Sequence, residues 1–83
     1  MELREEVVQK LAEKAAELFN LDPSTLGPET RFEEDLGAKS VNYVQFSIML
    51  EDEYEVEVPY MEFHRKKTFG EAADYLAQLL GVA

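Results

Sequence analysis

Ser40-Val41-Asn42-Tyr43-Val44-Gln45-Phe46-Ser47-Ile48-Met49-Leu50 is a run without a single charge, in a chain that is 31% charged. Acidic residues press on it from both sides, Glu33-Glu34-Asp35 before and Glu51-Asp52-Glu53 after. Continued to Tyr54, the run carries apolar residues at two helical registers. Tyr43, Phe46, Ser47, Leu50 and Tyr54 fall at i, i+3, i+4, i+7 and i+11, which is one face of a helix. Val41, Val44, Gln45 and Ile48 fall at i, i+3, i+4 and i+7, which is another. The pattern predicts a helix over 40–54. One face can enter a core, and the other then shows valine and isoleucine to solvent, which costs solubility unless something binds there. The competing reading is that a neighbouring loop covers the second face. Four short helices seldom surround one of their number, so a partner face is the preferred expectation.

Upstream, Leu3, Val7, Leu11, Ala15, Leu18 and Phe19 repeat at helical spacing and predict an amphipathic helix over 2–19. Glu2, Glu5 and Glu6 suit the positive end of its dipole. Asn20 to Lys39 contains Pro23, Gly27, Pro28 and Gly37, so it is expected as a long loop, with a helical turn near Ser24–Leu26. A bare loop of that length is unusual in a compact domain. Leu21, Leu26, Phe32 and Leu36 recur within it and suggest that it packs down. Downstream, Val56 and Val58 belong to an extended connector, and Pro59 suits the first turn of a short helix over about 59–64. Thr68 and Glu71 match a capping box, with Thr68 as N-cap. The last helix then runs through Phe69, Ala72, Ala73, Tyr75, Leu76, Leu79 and Leu80 to a stop at Gly81. The expected fold is all-α, a four-helix bundle with a short third helix and a long loop between helices one and two.

Length makes the 83 residues one domain, 1–83, with hydrophobic residues at 46% to fill one small core. There is no cysteine, so disulfides and thiolate metal sites are excluded. No apolar run approaches the roughly 20 residues that span a bilayer, and the first ten residues have no secretory h-region. A cytoplasmic domain without membrane insertion is expected. The net charge of −10 opposes nucleic-acid phosphates and favours partners with Arg and Lys patches, although acidity can also do no more than maintain solubility. The acidic clusters match no EF-hand spacing, and no metal is assigned. With one histidine and no evident nucleophile–base pair, no catalytic residue is assigned either, and the chain is expected to be a non-enzyme.

Asp35-Leu36-Gly37-Ala38-Lys39-Ser40-Val41 resembles the attachment motif of the acyl carrier protein family, usually D-L-G-x-D-S-L. The likeness continues through Val44, Leu50-Glu51-Asp52-Glu53-Tyr54 and Val58-Pro59 to Thr68-Phe69-Gly70-Glu71-Ala72-Ala73-Asp74-Tyr75-Leu76. The resemblance implies that Ser40 accepts 4′-phosphopantetheine from coenzyme A through a phosphopantetheinyl transferase. It implies an acyl cargo presented to acyl-transferring or acyl-elongating enzymes of lipid or specialised acyl metabolism, by a carrier expected to be monomeric. The local chemistry agrees, since a phosphodiester at a helix start meets free N–H groups and the positive dipole end. A serine there also has an ordinary role as N-cap. An acyl pocket is expected along the inner face, from Tyr43, Phe46 and Leu50 with Phe32, Phe63, Tyr75 and Leu76.

The sequence departs from the family pattern at Lys39, where an Asp is usual, at Val41 and at Asn42; Gln45 is neutral at a position that is usually acidic. Partner recognition through Lys39, Val41, Val44, Gln45 and Ile48 is therefore expected to lean less on charge, and to serve dedicated enzymes. His64-Arg65-Lys66-Lys67 is a basic cluster in an acidic chain. It either complements the end of the short third helix or meets an acidic partner or a phosphate-bearing substrate. Two other functions stay open at this point: a peptidyl or aminoacyl carrier with the same arm, and an unmodified interaction module of the same fold.

Overall fold

A computed structural model describes residues 2–82. Helix α1 spans Leu3–Phe19, a 3₁₀ turn spans Pro23–Thr25, α2 spans Ser40–Tyr54, α3 spans Tyr60–Phe63 and α4 spans Phe69–Leu80. The long loop, the short third helix and both ends of α2 fall where the sequence pattern puts them. The helices share one core, in a body measuring 31 × 28 × 19 Å. α1 packs most extensively on α4 and also on the 3₁₀ turn, while α2 packs on α1 and α3. Among the described residues no helix is long and apolar enough to cross a membrane.

Val7, Leu11 and Ala15 of the expected stripe are fully buried in α1, joined by Val8 and Ala12, so the stripe is wider than periodicity alone indicated. α1 stops at Asn20, which adopts the left-handed conformation (φ 57°) that asparagine tolerates better than most residues. α4 stops at Gly81 (φ 77°), whose N–H and that of Val82 return to the last turn.

The long loop does pack down, and Phe32 is its anchor. The Phe32 N–H donates to the Lys67 carbonyl, and the Phe69 N–H donates to the Thr30 carbonyl, each at 3.0 Å. Together they form an isolated antiparallel bridge between Arg31 and Thr68. The ring of Phe32 is fully buried and lies 5.1–5.2 Å from those of Tyr43, Phe46 and Phe69. Removing such a ring costs about 3–5 kcal/mol. Leu26 and Leu36 are half-buried, whereas Leu21 is 41% exposed and does not join the packing. From Phe32 the chain returns through a turn at Gly37 (φ 68°), and the Ala38 N–H closes on the Phe32 carbonyl at 2.9 Å. Thus the Phe32 carbonyl fastens the turn that leads into α2.

Two helix starts differ from expectation. Thr68 does cap α4, accepting from the Glu71 N–H at 3.1 Å, but the Glu71 carboxylate accepts from Lys67 N–H at 3.0 Å and not from Thr68. The Thr68 main chain is committed to the bridge, so the return arm of the box reaches one residue further out. Pro59 is the residue before α3 and not its first turn. The connector ahead of it is extended, with Val58 buried and its N–H held by the Glu51 carboxylate at 2.8 Å.

Candidate functional site: the start of α2

Ser40 is the first residue inside α2, and Lys39 occupies the capping position in extended conformation. The ordinary explanation of Ser40 as N-cap therefore does not hold. Its side chain is exposed and makes no hydrogen bond among the described residues. Lysine has no acceptor with which to cap. Instead Asn42, three residues later, accepts from the Lys39 N–H through Oδ1 at 2.8 Å, and its amide donates to Gln45 Oε1 at 3.1 Å. The Asn42 and Tyr43 N–H groups both turn back to the Lys39 carbonyl. The N–H groups of Ser40 and Val41 remain as the orphan donors of a helix start, beside the free hydroxyl. Lys39 is exposed and forms no ion pair among the described residues. A hydroxyl free to react, two unspent donors and an adjacent cation suit a phosphodiester on Ser40.

The two faces of α2 separate as expected. Tyr43, Phe46, Ser47 and Leu50 are buried. Val41, Val44 and Ile48 are 61%, 39% and 49% exposed, so the loop does not cover the outer face. Gln45 between them is half-buried by its contact with Asn42.

Phe32, Tyr43, Phe46 and Phe63, four of the residues expected around an acyl chain, form one cluster of rings. Phe69 completes it, 6.3 Å from Phe46; its place on the apolar side of α4 was the available signal. Leu50 and Leu76 belong to the same core. Tyr75 does not join these rings; it is half-buried, with Lys66 Nζ 4.9 Å from its ring centre. The Tyr43 phenol is pushed up from its ordinary pKa by burial, and further by Glu33 and Tyr60, so it stays protonated at neutral pH. Around the basic cluster, His64 stacks on Tyr60 at 5.3 Å, and Arg65 and Lys66 share Glu62 at 3.8 Å each.

Residues 9–76 match the family described as "Phosphopantetheine attachment site". The chain is 37% identical over 75 residues to an acyl carrier protein of Rubrobacter xylanophilus, covering 90% of this chain and 93% of that one. It is 36% identical over 72 residues to an acyl carrier protein of Lactobacillus acidophilus, covering 87% and 90%. A meromycolate extension acyl carrier protein of Mycolicibacterium smegmatis is 32% identical over 76 residues, covering 92% of this chain and 77% of the relative.

Proposed function

The chain belongs to the acyl carrier protein family, and from that premise we propose that Ser40 is the residue that takes the arm. The protein bears 4′-phosphopantetheine and works with acyl-handling enzymes of lipid metabolism and with a phosphopantetheinyl transferase. When bound, the arm supplies the thiol that holds an acyl group as a thioester. The chain's own part is to offer the Ser40 hydroxyl, to meet the phosphodiester with the Ser40 and Val41 N–H groups and the Lys39 ammonium, and to shelter the cargo. The observation that carries the assignment is the unbonded, exposed Ser40 hydroxyl at the first position of α2. Coexpression with a broad-specificity transferase, followed by intact and peptide mass measurement, tests it. One added arm on the peptide containing Ser40 is expected. An arm on another residue, or uptake by Ser40→Ala, overturns it.

The chain is a non-catalytic carrier, one domain over 1–83, monomeric and cytoplasmic. Its acyl chain enters among Phe32, Tyr43, Phe46, Leu50 and Phe63, towards Leu76 and Tyr75, and the rings must yield space because they fill the interior between them. Its partners dock on Lys39, Val41, Val44, Gln45 and Ile48. These partners are dedicated enzymes, because the exposed face of α2 offers apolar area and no carboxylate between residues 39 and 50.

A further inference from the structure

Lys39 stands beside the attachment serine with its charge unspent. Six of the eight Lys and Arg residues, Arg4, Lys10, Lys14, Arg31, Arg65 and Lys66, make ion pairs. Lys39 makes none among the described residues, although the chain offers 18 carboxylates. Glu34 and Asp35, which precede it in the loop, turn to Arg31 at 2.7 and 3.4 Å. Along α2 no carboxylate follows before Glu51, whose own oxygen holds the Val58 N–H.

An unpaired surface lysine is ordinarily left to water. The surroundings of Lys39 make water a temporary partner. Its main chain is pinned by three hydrogen bonds: its N–H donates to Asn42 Oδ1 at 2.8 Å, and its carbonyl accepts from the N–H groups of Asn42 at 2.8 Å and Tyr43 at 3.1 Å. The root of the side chain is therefore fixed next to Ser40, with Val41 61% exposed on the other side. An enzyme that reaches the Ser40 hydroxyl must cover this spot and strip water from the ammonium. A charge desolvated without a partner costs affinity. The phosphate that arrives on Ser40 can take one of the three ammonium donors, and the others face the enzyme. The net charge of −10 draws a basic enzyme surface from a distance. At contact the same surface repels Lys39. Complementarity at both ranges needs a basic surface broken by a carboxylate opposite this one residue.

We propose that Lys39 selects the phosphopantetheinyl transferase that loads this chain, by pairing with an Asp or Glu that the enzyme carries beside its entry for Ser40, within an otherwise basic docking surface. The pair fixes register, and Val41 adds apolar contact next to it. The proposal deepens the carrier function and rests on attachment at Ser40.

The test measures kcat and KM for loading the full, unmodified chain from coenzyme A. Each transferase of the source organism is used, with a broad-specificity transferase as reference. The cognate enzyme is the one with the lowest KM for the unaltered chain. With it, Lys39→Asp is expected to raise KM about tenfold or more, since carboxylate then meets carboxylate. Lys39→Gln should raise KM less, and Lys39→Arg should keep most of the affinity. The increase with the reference enzyme should be several-fold smaller. The fold is not at stake, because Asp is itself a preferred cap. A carbodiimide, which condenses an amine with a carboxylate and takes up the water as its urea, should join Lys39 to one acidic residue of the cognate enzyme. Converting that acid to Lys should restore loading of Lys39→Asp. If no transferase adds an arm at Ser40, the carrier reading fails and this selection with it. If the arm is added at Ser40 but Lys39→Asp leaves KM with the cognate enzyme unchanged or lowered, the selection alone is overturned. An equal rise with both enzymes assigns Lys39 to the phosphate only and also overturns it, as does a charge exchange that restores nothing.

Discussion

Asn42, inside α2, accepts a 2.8 Å hydrogen bond through Oδ1 from the backbone N–H of Lys39, the residue just outside the helix. The acceptor that fastens the start of α2 thus sits at its third position and not at its cap. This relocation leaves Lys39 free to carry a positive charge next to Ser40, and it leaves the Ser40 hydroxyl without a structural task.

Replacing Asn42 with Ala is expected to destabilise the protein by about 1 kcal/mol, the usual value of a helix cap. For a domain of this size that is a fall in melting temperature of roughly 4–8 °C. Asn42→Asp keeps the acceptor and adds a charge that the helix start favours, so its melting temperature should match or exceed the wild type. An Asn42→Ala melt that coincides with wild type would show that the bond contributes nothing.

Ser40→Ala should abolish arm uptake while leaving stability within about 0.5 kcal/mol, since the side chain is exposed and unbonded. Intact mass and a thermal melt on one sample check both halves. A large loss of stability would mean that the hydroxyl has a structural role after all.

Loading saturated acyl groups of rising length should raise the melting temperature up to a limit. Each buried CH₂ contributes about 0.8 kcal/mol before the cost of moving rings is subtracted. Phe32, Tyr43, Phe46 and Phe63 occupy the interior between them, which is why a limit is expected. Melting temperatures indifferent to every attached chain would argue that the cargo stays outside.

The triple variant Lys39→Asp, Asn42→Asp and Gln45→Glu places acidic residues along the start of α2. Charge pairing at an interface mostly supplies specificity and register. Turnover by a standard ketosynthase is therefore expected to rise in the variant, and binding to the dedicated partner to weaken. High activity of the unaltered protein with the standard enzyme would remove the case for dedicated partners.

The Tyr54 hydroxyl donates to Glu6 Oε1 at 2.7 Å, joining the end of α2 to the start of α1. Burial first, and then this bond, pushes the phenol well above its ordinary pKa. The folded state therefore holds a proton that the unfolded state releases near pH 10. That stabilisation is fully present below about pH 10 and is lost as pH rises towards the folded value. Denaturant melts at pH 9 to 11 should show stability falling with pH, and Tyr54→Phe should flatten the fall. Identical slopes for the two proteins would place the loss at Tyr43 or Tyr75, whose phenols are also raised.

Local pattern was enough for the helices, because their cause lies within four residues. The apolar periods of 3–19 and 40–54, the Thr68 cap and the Gly81 stop lie inside single segments. The attachment motif was legible for the same reason, as contiguous residues from Asp35 to Val41. What depended on distant partners was not legible. The assignment of Tyr43 and Phe46 to the inner face and Val41 and Ile48 to the outer one follows from the pattern, but the packing on α1 and α3 that buries the first pair does not. The sequence offers Phe32 as a wall beside α2, but nothing in it signals the bridge to residues 67–69 that locks the ring into the core. The same bridge occupied Thr68 and sent the Glu71 carboxylate to Lys67. It also brought Arg31 to the basic run, which then met Tyr43 in one depression. Periodicity records which residues share a face, but burial and ligand geometry arise from segments tens of residues apart. Only the closed fold sets those distances.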